Sequence, residues 1–504
     1  MEVRAGHGGV APMRYGDLPD DPRFPRYGGV EWVRATLPTR FEPWPRHHEP
    51  LAVEPGFHLD EISCDELESY SRGRPWIWPG ERVHVLTDLH ADADAFVDSL
   101  VATGEFRRLG PDPLDFERIE DRAPCSFVLA GDFLDKGPDN LVLLRSVRRF
   151  LDMVPDAVLL VGNHDLRAKV GFLAAGRKEP HLAHLFIRMG QKVVPLLAQI
   201  REAYGSTIRE GGTEQAAHDR YFPDDSWFES YREVARDIVP SLKIEQELVR
   251  IRQKYRLFES ACAQAGVSMR ELDSIVQHFH QHFVEPGGDF SWFFAGLRVA
   301  EQKGSLLFVH AGFGDRAAAL VAEGGVPLLN ATYDRMVSEV DLFELYHGPV
   351  GNCFRTKYRE TDHPLTATGV AQLRSAGVQA IVHGHRNLTA GQRLMFRRGL
   401  LNFECDCSLD RATRRIEGLP GRGAACTTFH PDGSVVGISS DRPGAKLLEM
   451  RDHCDLLTVI DDAGRQEEAR EVDLDPVTTG LGPGLTPILI EPTPPRRPLP
   501  KNPS

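Results

Sequence analysis

Gly131-Asp132-Phe133-Leu134-Asp135-Lys136-Gly137 follows directly on the mostly apolar run Ser126 to Ala130. A short apolar run of this kind reads as a buried strand, so the two aspartates stand where a strand stops. The same arrangement occurs on either side. Val83 to Leu86 delivers Thr87-Asp88-Leu89-His90, and Ala157 to Val161 delivers Gly162-Asn163-His164-Asp165. Three strand ends bearing Asp, Asn and His predict an α/β sheet, because open α/β sheets present their ligand-binding residues in the crevice outside the strand C-termini. The three segments together read as half of a two-metal hydrolase site.

Two later runs supply a second set: Leu306 to Val309 delivers His310-Ala311-Gly312, and Val378 to Val382 delivers His383-Gly384-His385. Oxygen ligands from Asp and Asn mixed with imidazole suit Mn, Fe, Zn or similar divalent ions better than a thiolate-bound structural zinc. None of the five motif segments contains cysteine.

In order, D-x-H, G-D-x-x-D-x-G, G-N-H-D, V-H-A-G and G-H resemble the calcineurin-like metallophosphoesterases. The likeness is strongest to the phosphoprotein phosphatase branch, which includes bacterial serine/threonine phosphatases and symmetrical diadenosine tetraphosphatases. The resemblance implies an α/β fold: a two-sheet β-sandwich flanked by helices. It implies two divalent metal ions as cofactors, Mn first, with Fe, Zn or Co as alternatives. Asp88 and His90 would bind the first ion, Asp132 would bridge both, and Asn163, His310 and His385 would bind the second. His383 stays open, because members with an H-x-H pair use both histidines whereas the phosphatase branch uses one.

Two cations about 3.5 to 4 Å apart suit phosphoryl transfer because they neutralise charge on the attacking, leaving and equatorial oxygens and lower the pKa of water. By the same resemblance His164 would protonate the leaving alkoxide, with Asp135 as its orienting partner. Lys136 stands where the branch usually has arginine, replacing a planar fork with a flexible point charge. Arg167, Arg355 and Arg386 are further candidates for phosphate binding, and Arg386, beside His385, has the best claim by position.

The chain has 504 residues, more than one core normally organises, which predicts a catalytic domain with insertions or appended pieces. No apolar run approaches the 18 or so residues that span a bilayer, and Met1 to His7 offers no apolar signal core. A cytoplasmic location and no membrane partner are therefore expected. The formal charge of −14, without a long basic stretch, argues against nucleic acid as a partner, since phosphate-backbone affinity rests on Lys and Arg patches. The eight cysteines form no C-x-x-C pair and read as reduced thiols; Cys405 and Cys407, flanking Asp406, read as core packing.

Five regions follow from the pattern. Residues 1–75 form an irregular Pro- and Gly-rich extension whose aromatics, Trp32, Phe41 and Trp44, suit grooves of the catalytic domain. Residues 76–175 carry the first half of the metallophosphoesterase domain and 301–442 the second. Between them, 176–300 reads as a helical insertion: Ile244, Leu248, Ile251, Tyr255 and Phe258 make one apolar stripe, and Leu182 to Tyr204 and Ser268 to Val284 are helix-compatible. This insertion either overhangs the metal site or packs peripherally. His278 and His282 within it share a helix face but lack a third ligand, so they read as a packed or solvated face. Leu400 to Cys405, Ala424 to Phe429 and Ser434 to Ile438 are strand-like, the last two joined by a His430-Pro431-Asp432-Gly433 turn. Residues 443–504 add strands at Lys446 to Met450 and Leu456 to Ile460 before a Pro-rich end from Pro476.

The expected activity is metal-dependent hydrolysis of a phosphate monoester. A phosphoprotein leads as substrate, and a dinucleoside polyphosphate or other nucleotide is the alternative. A helical cap over the site would favour a small molecule. A noncatalytic scaffold is the third reading, opposed by the joint presence of Asp132, Asn163 and His164. The sequence sets no oligomeric state.

Overall fold

Alternation along the motif strands explains the layers. In Arg82–Leu86, Val83 and Val85 face one apolar core while Leu86 faces another; Leu306 and Phe308 join the first core and Leu307 and Val309 the second. Strands buried on both faces read as continuous apolar runs, which is why these segments show no polar alternation. The computed structural model describes residues 18–44, 64–454, 456–460 and 466–467, all within one compact unit. Residues 1–17 and 45–63 of the N-terminal extension, and the Pro-rich end from Pro476, lie outside the described residues.

Two sheets form a sandwich. The eight-stranded sheet runs, in spatial order, Phe41–Pro43, Ala445–Glu449, Ser434–Ser439, Ala425–Phe429, Arg82–Leu86, Cys125–Leu129, Val158–Leu160 and Leu297–Arg298. The five-stranded sheet runs Arg393–Arg397, Leu400–Glu404, Ala380–His383, Leu306–Val309 and Ala300–Lys303. The motif strands pair in parallel within each sheet, Val85 beside Val128 in the first and Phe308 beside Val382 in the second, so their C-termini end on the same edges. Between the sheets pack Val85, Val128, Leu160, Phe308, Val382 and Phe403, each worth about 1.5 to 3 kcal/mol of burial. The second core, on the far faces, holds the flanking helices. The fold is a mixed α/β two-sheet sandwich flanked by helices.

Strand positions agree with the sequence reading to within two residues. The N-terminal extension contributes more than irregular chain: Phe41–Pro43 pairs with Ala445–Leu447, Trp44 and Phe24 are buried, and a helix runs Cys64–Ser71. The region expected as helical insertion contains helices Leu185–Arg188, Val194–Ala203, Glu214–Tyr221, Trp227–Ala235, Ser241–Gln264 and Leu272–Phe279. Ile244, Leu248, Ile251 and Phe258 are its buried stripe. The stretch Leu182 to Tyr204 is broken by Gly190, which holds a positive φ of 66°. The chain returns to the sheets slightly before residue 301, because Leu297–Arg298 and Ala300–Lys303 are already paired strands. His278 and His282 stack on Tyr204, 5.3 and 3.9 Å between ring centroids, as a packed aromatic face. Among the described residues no helix is long and apolar enough to cross a membrane.

Candidate metal centre

The loops that leave the motif strands are tightly bent. Asp88, His90, Asp132, Asp135, Lys136 and His385 all hold positive φ, from 43° to 69°. For residues with a Cβ this costs roughly 1–2 kcal/mol each, and such strain persists where surrounding bonds enforce it. Those bonds are present: the N–H of Asp88 donates to Gly131 O (3.0 Å), and those of His90 and Ala91 to Asp132 O (2.8 Å) and Phe133 O (2.7 Å). Close approach also demands glycine. A Cβ on Gly384 would lie 2.1 Å from both Asp88 Oδ2 and Thr87 Oγ1, so no side chain fits between the two loops.

Asp165 organises the centre, a role the sequence reading did not assign. Its carboxylate is fully buried and accepts four backbone N–H groups: Phe133 and Leu134 at Oδ1 (both 3.0 Å), Asp132 and Gly162 at Oδ2 (2.8 and 2.9 Å). One side chain from the third motif thus holds the loop of the second. Only its place in G-N-H-D hinted at this.

The sheets meet through two histidines. His310 Nδ1 lies 2.8 Å from Ala130 O, which fixes a proton there and turns Nε2 toward Asn163 Oδ1 (3.3 Å) and Asp132 Oδ2 (3.4 Å). His385 donates its backbone N–H to Asp88 Oδ2 (3.0 Å), and its ring lies 5.1 Å from that of His310. Two donor groups result, His90–Asp132–His164 and Asp132–His310–His385, with the donor atoms of each within 4.8 Å of one another. Asp132 belongs to both. The buried Nε2 of His385 has no hydrogen-bond partner, an unmet demand that a cation satisfies. The donor set therefore fits two divalent ions sharing one carboxylate.

The charges point the same way. Burial pushes Asp132 toward its neutral form, but the imidazoles of His310, His164 and His90 outweigh it and hold the carboxyl well below its usual range. Burial and the nearby Asp406 push Asp88 well above its usual range. Burial opposes a charge on His310, yet Asp132 and Asp88 hold its imidazole protonated above the ordinary value. Burial pushes His90, His164 and His385 well below the ordinary imidazole range, so His310 is the histidine of this group held charged beside Asp132.

His164 Nδ1 lies 3.0 Å from Asp135 Oδ2, leaving Nε2 for the pocket. Burial lowers the His164 pKa well below the ordinary value and lifts that of Asp135 to about 6. Lys136 Nζ lies 2.7 Å from His90 Nε2 and 3.4 Å from Thr413 Oγ1. Arg167 lines the same cleft of about 940 Å³ as Asp88, His90, Asp132, Lys136, Asn163, His164 and His385. Gln191, Lys192, Ala261 and Gln264 line this cleft too, so the helical insertion borders the centre.

Three candidates are placed elsewhere. His383 directs Nε2 toward Glu404 Oε1 (3.7 Å), with Nδ1 2.8 Å from Gly384 O, and belongs to neither donor group. Arg386 is buried with Nε 3.6 Å from Glu404 Oε1 and its guanidinium over Tyr358, away from the cleft wall. The structure thus corrects the expectation from position: successive residues around a strand end point in different directions, so Arg386, adjacent to His385, turns from the pocket toward a buried glutamate. Arg355 borders a neighbouring cavity rather than the cleft. Cys405 and Cys407 are buried free thiols whose pKa burial raises, as packing residues are.

Residues 81–259 match the family model described as calcineurin-like phosphoesterase. No curated protein matches the chain. Among solved structures, a cold-active protein-tyrosine phosphatase of a psychrophilic Shewanella species is 14% identical, covering 79% of this chain and 90% of that one at a TM-score of 0.35. A serine/threonine phosphatase from Saccharomyces cerevisiae is 12% identical, covering 76% and 86% at 0.33. A putative diadenosine tetraphosphatase is 12% identical, covering 73% and 97% at 0.26. Residues 81–259, which hold the first three motifs in family order, thus carry the match to a calcineurin-like phosphoesterase domain.

Proposed function

We propose that the protein is a dinuclear metal-dependent phosphoesterase hydrolysing a phosphate monoester, and that its substrate is a small molecule. The carrying observation is Asp132, common to both donor groups as a bridging ligand would be. In this reading Asp88 and His90 hold the first ion with Asp132, and Asn163, His310 and His385 hold the second with the same carboxylate. His383 is left with Glu404. When bound, the two ions supply charge neutralisation at the phosphoryl oxygens and a water of lowered pKa.

The chain's own residues do the rest. Arg167 and Lys136 face the cleft and bind phosphoryl oxygens, so the ester enters with one phosphate at the donors. Asp135 accepts from His164 Nδ1 and fixes the ring so that Nε2 faces the scissile oxygen. In its protonated form His164 would pass the Nε2 proton to the departing alkoxide, with the Asp135 carboxyl holding the ring at Nδ1. The insertion narrows the approach: its residues form a cleft wall, which suits a small ester better than a folded phosphoprotein. A phosphoprotein substrate is the reading that a more open cleft would have favoured.

The test is hydrolysis of an aryl phosphate monoester and the matching diester by metal-stripped protein reloaded with Mn²⁺, with Asp132→Asn as control. Monoester turnover lost in Asp132→Asn supports the reading. Diester turnover alone, or equal turnover by Asp132→Asn, refutes it.

A further inference from the structure

A second cavity, of about 580 Å³, shares Asn163, Arg167 and His385 with the metal centre. Its remaining wall is unusually cationic for a chain whose formal charge is −14: Arg188, Lys243, Arg250, Arg355 and Arg359 line it along with Arg167. Two of these cations are matched. Arg188 pairs with Glu247, and Lys243 Nζ lies 3.5 Å from Asp362 Oδ1. Glu360 also borders the space. Arg167, Arg250, Arg355 and Arg359 make no ion pair among the described residues.

These cations are held together at a cost. The guanidiniums of Arg355 and Arg188 lie 4.8 and 5.7 Å from the ring centroid of Tyr346, one on each count against the same aromatic. Burial and the nearby Arg188 pull Arg355 below its ordinary pKa. Burial would raise the Tyr346 phenol, yet Arg188, Arg167 and Arg355 bring it down to about 7. Glu247, Asp362 and Glu360 offset only part of this charge, and guanidiniums in a partly buried cavity match phosphate by fork geometry.

We propose that this cavity is a second anion subsite of the same substrate: one phosphate of a multiply phosphorylated small molecule sits at the metal donors and another sits among Arg250, Arg355 and Arg359. The inference rests on the phosphoesterase reading. The boundary residues Asn163, Arg167 and His385 make the two sites contiguous, so a single molecule reaches both. Sugar bisphosphates and nucleoside polyphosphates present the same chemistry, a second phosphate at short range.

The test is calorimetric binding to Mn²⁺-loaded His164→Asn, which keeps the donors and slows turnover. The probes are a hexose 1,6-bisphosphate against the hexose 6-phosphate, and diadenosine tetraphosphate against AMP. At least one multiply phosphorylated probe should bind roughly tenfold or more tighter than its monophosphate partner, the scale of one charge-assisted hydrogen bond. Which pair shows the gap identifies the sugar or the nucleotide source. Arg250→Ala and Arg359→Ala, both at exposed positions, should each close most of that gap. Equal affinities in both pairs, or a gap that neither substitution moves, overturns the second subsite. Aryl phosphate turnover by the wild-type protein reports separately on the phosphoesterase reading, since that probe has a single phosphate.

Discussion

Replacing Asp165 by Asn isolates the organisation of the centre from its ligands. An asparagine of the same shape keeps one oxygen, which still accepts from Phe133 and Leu134. Its amide nitrogen then replaces Oδ2, where the N–H groups of Asp132 and Gly162 arrive at 2.8 and 2.9 Å. Two charge-assisted bonds become donor–donor contacts. At about 1.5–3 kcal/mol each, their loss is worth about 3–6 kcal/mol, a large share of the 5–15 kcal/mol that typical domains possess. Because the same loop carries Asp132, whose Oδ1 accepts the His164 N–H at 2.8 Å, metal affinity should fall as well, although Asp165 itself faces no ion. Urea unfolding of metal-free protein followed by tryptophan fluorescence measures the first effect, and Mn²⁺ titration calorimetry the second. A loss below about 1 kcal/mol with unchanged Mn²⁺ affinity would refute the clamp.

Three further outcomes are expected. His164→Asn should slow alkyl phosphates, whose leaving groups need a proton, far more than aryl phosphates with activated leaving groups; a proton donor of this kind is worth roughly 10²–10⁴-fold, and equal slowing in a comparison of kcat values would remove the acid role. Lys136→Met should strengthen binding of the first Mn²⁺, because the ammonium at His90 Nε2 no longer competes, while raising KM for an aryl phosphate; a titration showing weaker Mn²⁺ binding would contradict this. His184 is buried with neither ring nitrogen bonded, and burial holds its pKa well below 6.5. Folded His184 therefore stays neutral while the unfolded form takes a proton, so its contribution is present above pH 6.5 and lost as pH falls below it, by about 1.4 kcal/mol per pH unit. His184→Phe should flatten the stability–pH slope by that amount in urea titrations between pH 6.5 and 5; an unchanged slope would count against it.

The cleft explains why an insertion between the third and fourth motifs matters to function. Its helices are anchored by their own apolar stripe, and Gln191, Lys192, Ala261 and Gln264 then line the same cleft as the donors. Exposed Ile416 borders the same cleft from the segment beyond the last histidine motif. The cleft is thus lined partly by two segments that carry none of the five motifs.

Several features were legible because they are local. Val83 to Leu86, Leu306 to Val309 and Leu456 to Ile460 announce strands by apolar content alone, and the Ile244 to Phe258 stripe announces its helix by period. The helix Asp315–Ser338 was not foreseen: Gly324, Gly325 and Pro327 interrupt its pattern, and the backbone kinks there. The donor residues could be named from motif order, but their distances could not. Whether His383 or His385 faces Asp132 depends on which way the chain turns after Ala380–His383. Arg386 looked like a phosphate ligand until Glu404 claimed it across a strand pairing. Arg167 and Arg355 were separate candidates for phosphate binding, Arg250 and Arg359 carried no signal, and nothing along the chain joins the four. Sequence by itself determined the motif strands and the amphipathic helix, and motif order named the candidate donors, because periodicity and strand ends are properties of neighbouring residues. Only the tertiary structure decided the Asp165 clamp, the turning of Arg386 toward Glu404 and the cationic cavity, because hydrogen bonds and charge pairing act through space between segments that packing alone brings together.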